Sequence, residues 1–329
     1  MSALFSRILI PAILAFSSAG QAFAGPKIAL VFDKGGKDDK SFNSSAYQGA
    51  MEAKEKLGAK IKYVEATDDN SFEPLLKAFA KKDYDLIVAI GVSQADAMKK
   101  VAPQFPDKKF LIVDAEVSAP NVAVALFQEH EGSYLVGAMA ALASKTGTVG
   151  FIGGMDIPLI RRFQMGYEAG VKKINPKAKV IVNYIGVTGD AWHNPPKAKE
   201  LALAQIASKA DVIFHAAGAS GAGLFDAVEE KNVLAIGVDS NQNWVKPGRV
   251  LTSMLKRVDH AVFSVAEAVA QNRFKAGVTR FGLKDSGIDV AIDQNNEKLV
   301  TKEMKAKVDE LKAGILAGKI KVPDYYEKK

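Results

Sequence analysis

The 329-residue sequence contains no cysteine. It therefore cannot form a disulfide bond, supply a thiol nucleophile or carry a lipid on a cysteine side chain. Beyond the first 24 residues it also lacks an apolar run approaching the roughly 20 residues that cross a bilayer. These absences exclude thiol catalysis and a cysteine-linked anchor, and they predict no internal membrane-spanning segment.

Motifs of common enzymes are missing as well. The chain has no G-x-S-x-G nucleophile turn, no G-x-x-x-x-G-K-[ST] phosphate loop and no H-E-x-x-H metal-binding helix. The loop 33–39 lacks the alternating oxygen ligands and the closing Glu of a calcium loop, and Gly218–Gly223 does not match the G-x-G-x-x-G of dinucleotide sites. The histidines lie far apart, without metal-ligand spacing: His130, His193, His215 and His260. We expect no metal and no cofactor. We also expect a binding protein rather than an exported enzyme, and turnover of a bound ligand would point to the enzyme instead.

The first 24 residues have the pattern of a cleavable secretory signal. A basic start with Arg7 precedes the apolar stretch Ile8–Phe16, and Ala22-Phe23-Ala24 forms a small-residue cleavage site before Gly25. The apolar stretch is too short to span a bilayer, which argues against a signal anchor. We expect export to a bacterial periplasm as a free protein that is not a lipoprotein.

Composition suggests two globular domains and no nucleic-acid partner. About 305 residues would remain after cleavage, enough for two domains of about 150 residues, and 48% of the sequence is hydrophobic. The net charge is +7 at pH 7, but the lysines are scattered along predicted helices without the interleaved aromatics of a nucleic-acid surface. We expect a monomer whose basic side chains lie on solvated faces.

Strand-like and helix-like segments alternate along the chain in two series. Helical patterns of roughly 10–18 residues separate the early strands, the length that a crossover between parallel strands requires. The sequence thus predicts the α/β class, with two doubly wound lobes, a hinge and an interlobe cleft. The predicted strands are Lys27–Phe32, Lys60–Glu65, Asp85–Ile90, Lys109–Val113 and Val122–Leu126 in the first series, and Thr148–Ile152, Lys179–Tyr184, Asp211–His215 and Val233–Val238 in the second.

The last part of the chain is predicted to cross back between the lobes. It contains the strand Arg249–Leu255, the helix Val258–Asn272, short strands near Arg280–Leu283 and Ile288–Ala291, and the helix Thr301–Leu316. We predict an N-terminal lobe of residues 25–127 with about 258–283, and a C-terminal lobe of residues 128–257 with about 284–329.

Polar residues stand at the carboxyl ends of the predicted strands. Parallel sheets bind ligands at this edge, where carboxylates accept hydrogen bonds from hydroxyl or N–H groups. Each Asp could instead cap the helix that follows it. The candidate ligand-binding positions are Asp33, Ser93, Asp114, the loop beginning at Gly218, and Asp239.

One junction differs from the other strand ends. The first strand leads through a Gly-rich acidic loop to Ser41-Phe42-Asn43 at a predicted helix start. A helix start presents free N–H groups to a ligand, and an aromatic there is well placed to stack on a flat molecule. The alternative for Phe42 is a hydrophobic staple or a core position. We take the junction as the mouth of a ligand site.

Several motifs resemble, in the same order, those of the basic membrane protein family. Its members are substrate-binding proteins of ABC transporters, similar to the purine-nucleoside receptor lipoproteins, and the resemblance runs from about Lys27 to Asn272. The motifs are Asp39-Lys-Ser41-Phe42-Asn43 with Asp33 and Gly49, Glu131-Gly-Ser-Tyr-Leu-Val-Gly137, Gly150-Phe-Ile-Gly-Gly154 with Phe163 and Gly166, Ala217-Gly218-Ala-Ser-Gly221-Ala-Gly223, Ile236-Gly-Val-Asp239-Ser-Asn-Gln242, and Leu251-Thr-Ser253-Met-Leu-Lys256.

The resemblance implies a type I periplasmic-binding-protein fold. In such a fold two lobes joined by three crossovers close by a hinge over a nucleoside and deliver it to a membrane permease. The resemblance makes Phe42 the stacking platform for the base. It makes Asn43 a neighbouring polar contact. The hydrogen-bonding partners of base and ribose that it implies are Asp33 and Asp114 from the first lobe and Asp239 and Lys256 from the second.

The sequence leaves two alternatives undecided: which residue is the second stacking aromatic, and which ligand is bound. Trp192 lies in a turn-rich loop that would expose its indole, whereas Phe225 follows the Gly-rich loop at helical spacing and is equally compatible with a core position; we favour Trp192. A sugar, a flavin or a furanone-type signal would suit the same fold. A periplasmic receptor that passes its signal to a membrane sensor would show the same sequence features. The missing cysteine departs from the family, in which many relatives are lipoproteins.

Overall fold

The computed structural model describes residues 25–328, and the predicted signal sequence, residues 1–24, lies outside this range. The described chain forms two α/β lobes, each built on a six-stranded sheet. None of the described helices is long and apolar enough to cross a membrane. The predicted fold class, two doubly wound lobes with a cleft between them, is confirmed.

Strands and helices alternate through most of the described chain. They are β1 (Lys27–Phe32), α1 (Phe42–Leu57), β2 (Lys60–Glu65), α2 (Phe72–Ala80), β3 (Leu86–Ile90), α3 (Ala95–Val101), β4 (Lys109–Val113), β5 (Val122–Phe127), α4 (Glu129–Ala143), β6 (Thr148–Met155), α5 (Pro158–Ile174), β7 (Lys179–Gly186), α6 (Pro195–Ala207), β8 (Val212–Ala216), α7 (Gly221–Lys231), β9 (Leu234–Asp239), β10 (Val250–Lys256), α8 (Val258–Ala270), β11 (Gly277–Phe281), β12 (Ile288–Val290) and α9 (Lys302–Leu316).

Both sheets have the same strand order. The orders are β2-β1-β3-β4-β5-β11 and β7-β6-β8-β9-β10-β12, and the neighbouring strands are parallel except for β10 and β12, which are antiparallel. Central strands such as β3 are buried along their whole length, because helices cover both faces of a parallel sheet. Strand order reverses at β1 and at β6, and such a switch point opens a crevice at the carboxyl ends of the strands.

Within residues 25–328 the chain passes between the two sheets at three places. These are the steps from β5 to α4, from β10 to α8, and from β11 to β12. After the second step α8 returns to the first sheet and packs against α1, whereas α9 packs against α4 beside the second sheet. Three short connections therefore join the lobes.

The edge strand β11 differs from its prediction. The hydrophobic pattern predicted a strand near Arg280–Leu283, but β11 begins at Gly277. Residues 277–280 are exposed, and the strand is held by backbone pairing with β5. An exposed edge strand has no buried face, so its start leaves no hydrophobic pattern in the sequence.

Two glycines bring α4 and α5 into backbone contact. A Cβ atom at Gly137 would lie 2.2 Å from the carbonyl oxygen of Tyr167, and one at Gly166 would lie 2.3 Å from that of His130. A side chain at either position would push the helices apart. The close packing of α4 against α5 fixes the position of α5, whose first turns face the interlobe cleft.

Candidate functional site

A cleft opens where the carboxyl ends of the two sheets face each other. It encloses ≈ 560 Å³ of empty space, part of it open to solvent, which lies within the roughly 300–1,000 Å³ typical of small-molecule sites. In the first lobe β1 and β3, which flank the switch point, lead into it through Asp33 and Gly91. The topology therefore places the cleft where doubly wound sheets bind ligands.

The first-lobe side of the cleft is mostly polar. Asp33 follows β1, Asp114 follows β4, and Phe42 and Asn43 begin α1. The buried Asn43 amide holds the loop after β1: its Oδ1 accepts from the Asp33 N–H at 3.3 Å, and its Nδ2 donates to the Asp33 carbonyl at 3.4 Å. Phe42 is half-buried and is the aromatic that this lobe presents to the cleft.

The second-lobe side is mostly apolar. Trp192, in the loop after β7, lies beside Gly154, where a Cβ atom would be only 2.1 Å from the indole Cζ3. Charged groups on this side come from Asp239 and Lys256, at the ends of β9 and β10. The apolar lining is completed by Leu159, Ile160, Phe163, Ala216, Ala217 and Val238.

Eight of the nine predicted site residues line the cleft: Asp33, Phe42, Asn43, Asp114, Trp192, Gly218, Asp239 and Lys256. Ser93 does not line it, although the Ser93 side chain contributes to lowering the pKa of Asp33, against the larger effect of burial. Phe225 packs in the core of the second lobe, with its ring edge-to-face to His215 at 5.3 Å. Of the two aromatics that the sequence left open, Trp192 is the one at the cleft.

Lys256 is buried among acidic groups. Its Nζ lies 2.6 Å from Asp114 Oδ2 and 3.1 Å from Glu129 Oε1, and 5.2 Å from the ring centroid of Phe42. Burial alone would lower the pKa of a lysine, but the carboxylates of Asp114, Glu129 and Asp239 outweigh burial and raise the pKa of Lys256 above its usual value. Lys256 thus stays charged, and protein carboxylates already neutralise it.

The cleft carboxyls are poorly solvated. Burial raises the pKa of Asp33 and of Asp239 to about 6, although the Lys34 N–H donates to Asp33 at 2.7 Å and so opposes the shift. Burial also raises the pKa of Asp114, against the attraction of Lys256. Asp114 Oδ1 is buried and has no hydrogen-bond partner within residues 25–328. Acceptor oxygens are therefore available to hydrogen-bond donors of a ligand.

Asp114 and Asp239 share an uncommon backbone conformation. Their φ angles are 71° and 65°, in the left-handed region that favours glycine and that Asp tolerates better than most residues. They occupy equivalent places, since each stands at the end of the fourth strand in its series. Non-glycine residues in this region concentrate at functional sites.

Asp39 was missed by the sequence analysis as a cleft residue. Its carboxylate accepts from the N–H groups of Ser41, Asn43 and Ser44 at 2.8–2.9 Å. It therefore occupies the N-terminus of α1, the place where an anionic ligand group would otherwise bind. An acid just before a helix start is a capping signal, so this role was visible in the sequence.

Hydrogen bonds also join the two lobes along the rim of the cleft. These bonds hold the two lobes in a closed arrangement. The bonds are Ser41 Oγ to Asp239 Oδ2 at 2.6 Å, Ser240 Oγ to the Ser41 carbonyl at 2.8 Å, Gln242 Nε2 to the Lys40 carbonyl at 2.9 Å, and Lys34 Nζ to Asp190 Oδ1 at 3.0 Å.

Two equivalent lobes that enclose a ligand-sized cleft, lined by an aromatic and by available acceptors, define a two-lobed solute-binding protein. Across residues 25–328, no three acidic, His or Cys side chains group closely enough to hold a metal ion. The family described as "ABC transporter substrate-binding protein PnrA-like" matches residues 27–325. The chain belongs to this family of ABC transporter substrate-binding proteins, so the resemblance seen in its motifs is confirmed.

Individual relatives agree with the family. An uncharacterized lipoprotein of Pyrococcus horikoshii is 36% identical, over 80% of this chain and 68% of its own length. The ABC transporter nucleoside-binding protein BmpA of Lactococcus lactis is 33% identical, over 94% of this chain and 92% of its own. The crystal structure of an ABC transporter solute-binding protein from Aeropyrum pernix is 30% identical and covers 91% of this chain and 94% of that one, with a TM-score of 0.83.

Proposed function

We propose that the protein captures a purine nucleoside between its lobes and delivers it to the membrane permease of an ABC importer. The observation that carries the proposal is Phe42, which faces the cleft among the carboxylates of Asp33, Asp114 and Asp239. A nucleoside combines a flat base with a sugar that bears hydroxyl donors, so it matches both features at once. The Lactococcus lactis relative, named as nucleoside-binding, supports this ligand class.

Both contacts would contribute measurably to binding. Stacking of a base on an aromatic contributes roughly 1–3 kcal/mol, and a hydrogen bond to a charged group contributes roughly 1.5–3 kcal/mol. Asp114 Oδ1 is the best-placed acceptor, because it is buried and has no partner among the described residues. Trp192, on the opposite side of the cleft, would cover the other face of the ligand.

The charges of the cleft favour a nucleoside over a nucleotide. Asp39 already occupies the N-terminus of α1, and Lys256 is already paired with Asp114 and Glu129. Lys34, the other cation at the cleft, is paired with Asp69 and Asp190. A phosphate would therefore meet carboxylates, with no unpaired cation among the described lining residues to balance it. The ligand should be uncharged and rich in hydrogen-bond donors.

Capture would proceed by closure of the lobes about the three connections between them. We assign residues 25–127 and about 258–283 to one moving body, and residues 128–257 and about 284–329 to the other, because each set builds one sheet. A ligand shifts this equilibrium only if it binds the closed form more tightly. Contacts from both lobes, such as Phe42 and Asp239, give it that preference.

The protein would work as a free periplasmic monomer without enzymatic activity. None of the 329 residues is a cysteine that could hold a lipid, unlike the relative described as a lipoprotein. The predicted signal in residues 1–24 would direct export. The closed form would then present both lobes to the permease.

The test is thermal unfolding of residues 25–329 with inosine, adenosine, guanosine, uridine, AMP, ribose and riboflavin. A ligand at about 100 times its dissociation constant adds about 2.7 kcal/mol of stability. We expect purine nucleosides to raise the melting temperature, AMP to have no effect, and the bound nucleoside to be recovered unchanged. A shift with ribose or riboflavin alone would keep the fold and overturn the ligand, and no shift at all would refute the proposal.

A further inference from the structure

Arg162 holds the C-terminal tail, residues 317–328, against α5. Asp324 in this tail accepts two hydrogen bonds from Arg162, one from Nε and one from Nη2, both at 2.7 Å. The ring centroid of Tyr326 lies 4.8 Å from the guanidinium carbon. Arg162 is only 6% exposed, so this contact is part of the protein interior.

The remaining donors of Arg162 reach the first connection between the lobes. Nη1 donates to the Phe127 carbonyl and to Glu129 Oε2, both at 2.6 Å. Nη2 also donates to Gln128 Oε1 at 3.2 Å. Arg162 therefore ties the tail to the segment where β5 passes into α4.

Glu129 continues the chain of charges into the cleft. While its Oε2 accepts from Arg162, its Oε1 lies 3.1 Å from Lys256 Nζ, which in turn lies 2.6 Å from Asp114 Oδ2. The side chains of Glu129, Lys256 and Asp114 are at most 6% exposed. The order Asp324, Arg162, Glu129, Lys256, Asp114 alternates in sign from the tail to the ligand site.

Only the last two members of this chain line the cleft. We propose that Asp324, Arg162 and Glu129 are positioning residues that hold Lys256 and Asp114 in place for the ligand, so that the C-terminal tail sets ligand affinity from outside the cleft. The proposal goes beyond the proposed function and rests on it only for the choice of a nucleoside as the probe.

The expected direction follows from how Arg162 is shared. Its two charged partners are Asp324 and Glu129, and its other acceptors, such as the Phe127 carbonyl and Gln128, are neutral. In a poorly solvated interior the loss of one carboxylate leaves the other to neutralise the guanidinium. Without the Asp324 carboxylate, Arg162 draws Glu129 toward itself. Lys256 then shifts onto Asp114, and the free oxygen of Asp114 moves away from its ligand-binding position.

The first experiment compares two amide substitutions in the same tail by calorimetric titration with inosine. Asp324→Asn should bind inosine about tenfold more weakly, the size of a typical coupling between sites. Glu327→Gln is the matched control, because Glu327 pairs with Lys321 on the surface at 2.9 Å and does not contact Arg162. Asp324→Glu, which keeps the charge, should recover most of the affinity.

The second experiment needs no ligand. The side-chain ammonium resonance of Lys256 is followed by ¹⁵N NMR and assigned by its loss in Lys256→Arg. It should move in Asp324→Asn and stay in place in Glu327→Gln. An unchanged resonance in Asp324→Asn, or equal changes in the two variants, would overturn the proposal, as would a lower melting temperature with unchanged inosine affinity. If the wild type bound no nucleoside, the proposed function would fail and this resonance would still decide the role of the tail.

Discussion

The two lobes share one strand order but give opposite surfaces to the cleft. The first lobe contributes mostly polar groups, which are Asp33, Lys34, Asp39, Asn43 and Asp114 around Phe42. The second contributes mostly apolar groups, with charges only from Asp239 and Lys256 among its described lining residues. A common fold fixes where the loops lie, while the side chains decide the chemistry. We therefore expect the first lobe to recognise the ligand and the second to cover it.

Asp114→Ala should have the largest effect if recognition lies in the first lobe. The change removes a ligand acceptor and one partner of Lys256, and loss of one member of a buried charge pair costs roughly 2–5 kcal/mol, which is at least about 30-fold in affinity. Titration with inosine measures it. Asp96→Ala, which removes an exposed acid paired with Lys99 on the same lobe, should bind like the wild type. A smaller loss than that of Asp239→Ala would reverse the comparison between lobes.

Phe42→Ala should come next. Loss of base stacking costs roughly 1–3 kcal/mol, and the same factor should apply to purine and pyrimidine nucleosides because every base has a π-face. The control Phe79→Ala disrupts an aromatic pair with Tyr84 in the same lobe, so it should lower the melting temperature and keep the affinity. If Phe42 is instead a hydrophobic staple, its variant will behave like this control.

Asp239→Ala tests the covering lobe. It removes a ligand acceptor and the 2.6 Å hydrogen bond from Ser41 across the rim, so it should weaken both binding and closure, by about tenfold in affinity. Small-angle X-ray scattering should show a smaller compaction on adding inosine than in the wild type. Wild-type affinity in this variant would show that the second lobe makes no polar contact with the ligand.

The pH dependence of stability and of ligand affinity should report on Asp33 in the first lobe and Asp239 in the second. The pKa of Asp33 and of Asp239 is about 6 in the folded protein, against about 3.9 when unfolded. Between these values the folded state retains protons that the unfolded state has released, so the free energy of unfolding of the ligand-free protein should fall as the pH rises from about 4 to about 6. Nucleoside affinity should rise by about tenfold between about pH 5 and 7, because ligand donors prefer the ionised carboxylate.

Substituting each carboxyl by an amide measures how much it contributes to this pH dependence. Asp33→Asn should remove the Asp33 part of both trends and Asp239→Asn the Asp239 part, while Asp114, whose pKa is also raised by burial, keeps its own contribution in both variants. Calorimetric titrations and urea unfolding at several pH values measure them. Identical pH profiles for the wild type and both variants would show that neither carboxyl titrates in this range.

Asp190→Asn should have the smallest effect. Asp190 is 80% exposed and pairs with Lys34 across the rim at 3.0 Å, and exposed ion pairs contribute little. Nucleoside affinity should fall by about twofold at low salt, and the difference should vanish at high salt because exposed charges are screened. Glu200→Gln, from an exposed pair with Lys197 in the same lobe, is the control. A salt-independent loss would mean that Asp190 contacts the ligand.

The sheets were predictable because buried strands such as β3 are continuous apolar runs between turn residues. The cleft positions Asp33, Asp114 and Asp239 were predictable because strand ends meet at one edge of a parallel sheet. Trp192 was favoured over Phe225 because of its turn-rich loop, but the burial of Phe225 was not predictable, because it depends on which face of α7 packs into the core. Nor did any local pattern show that Ser93 would not line the cleft.

The charge chain behind the cleft was invisible in the sequence for a related reason. Glu129, Arg162 and Asp324 lie far apart along the chain and meet only after the lobes and the tail have packed. Local periodicity reports which face of an element is buried, and it carries no information on which distant charge will neutralise a buried one. Such pairs become evident only in three dimensions.

The rim hydrogen bonds also bear on residence time. The bonds from Ser41 to Asp239 and from Gln242 to the Lys40 carbonyl join protein to protein, so opening breaks them whatever cargo lies inside. They therefore raise the activation barrier to dissociation by the same amount for tightly and weakly bound ligands. Differences in affinity among related complexes are mostly differences in dissociation rate. A permease that competes for these rim groups would lower that shared barrier and unload different cargoes by one route.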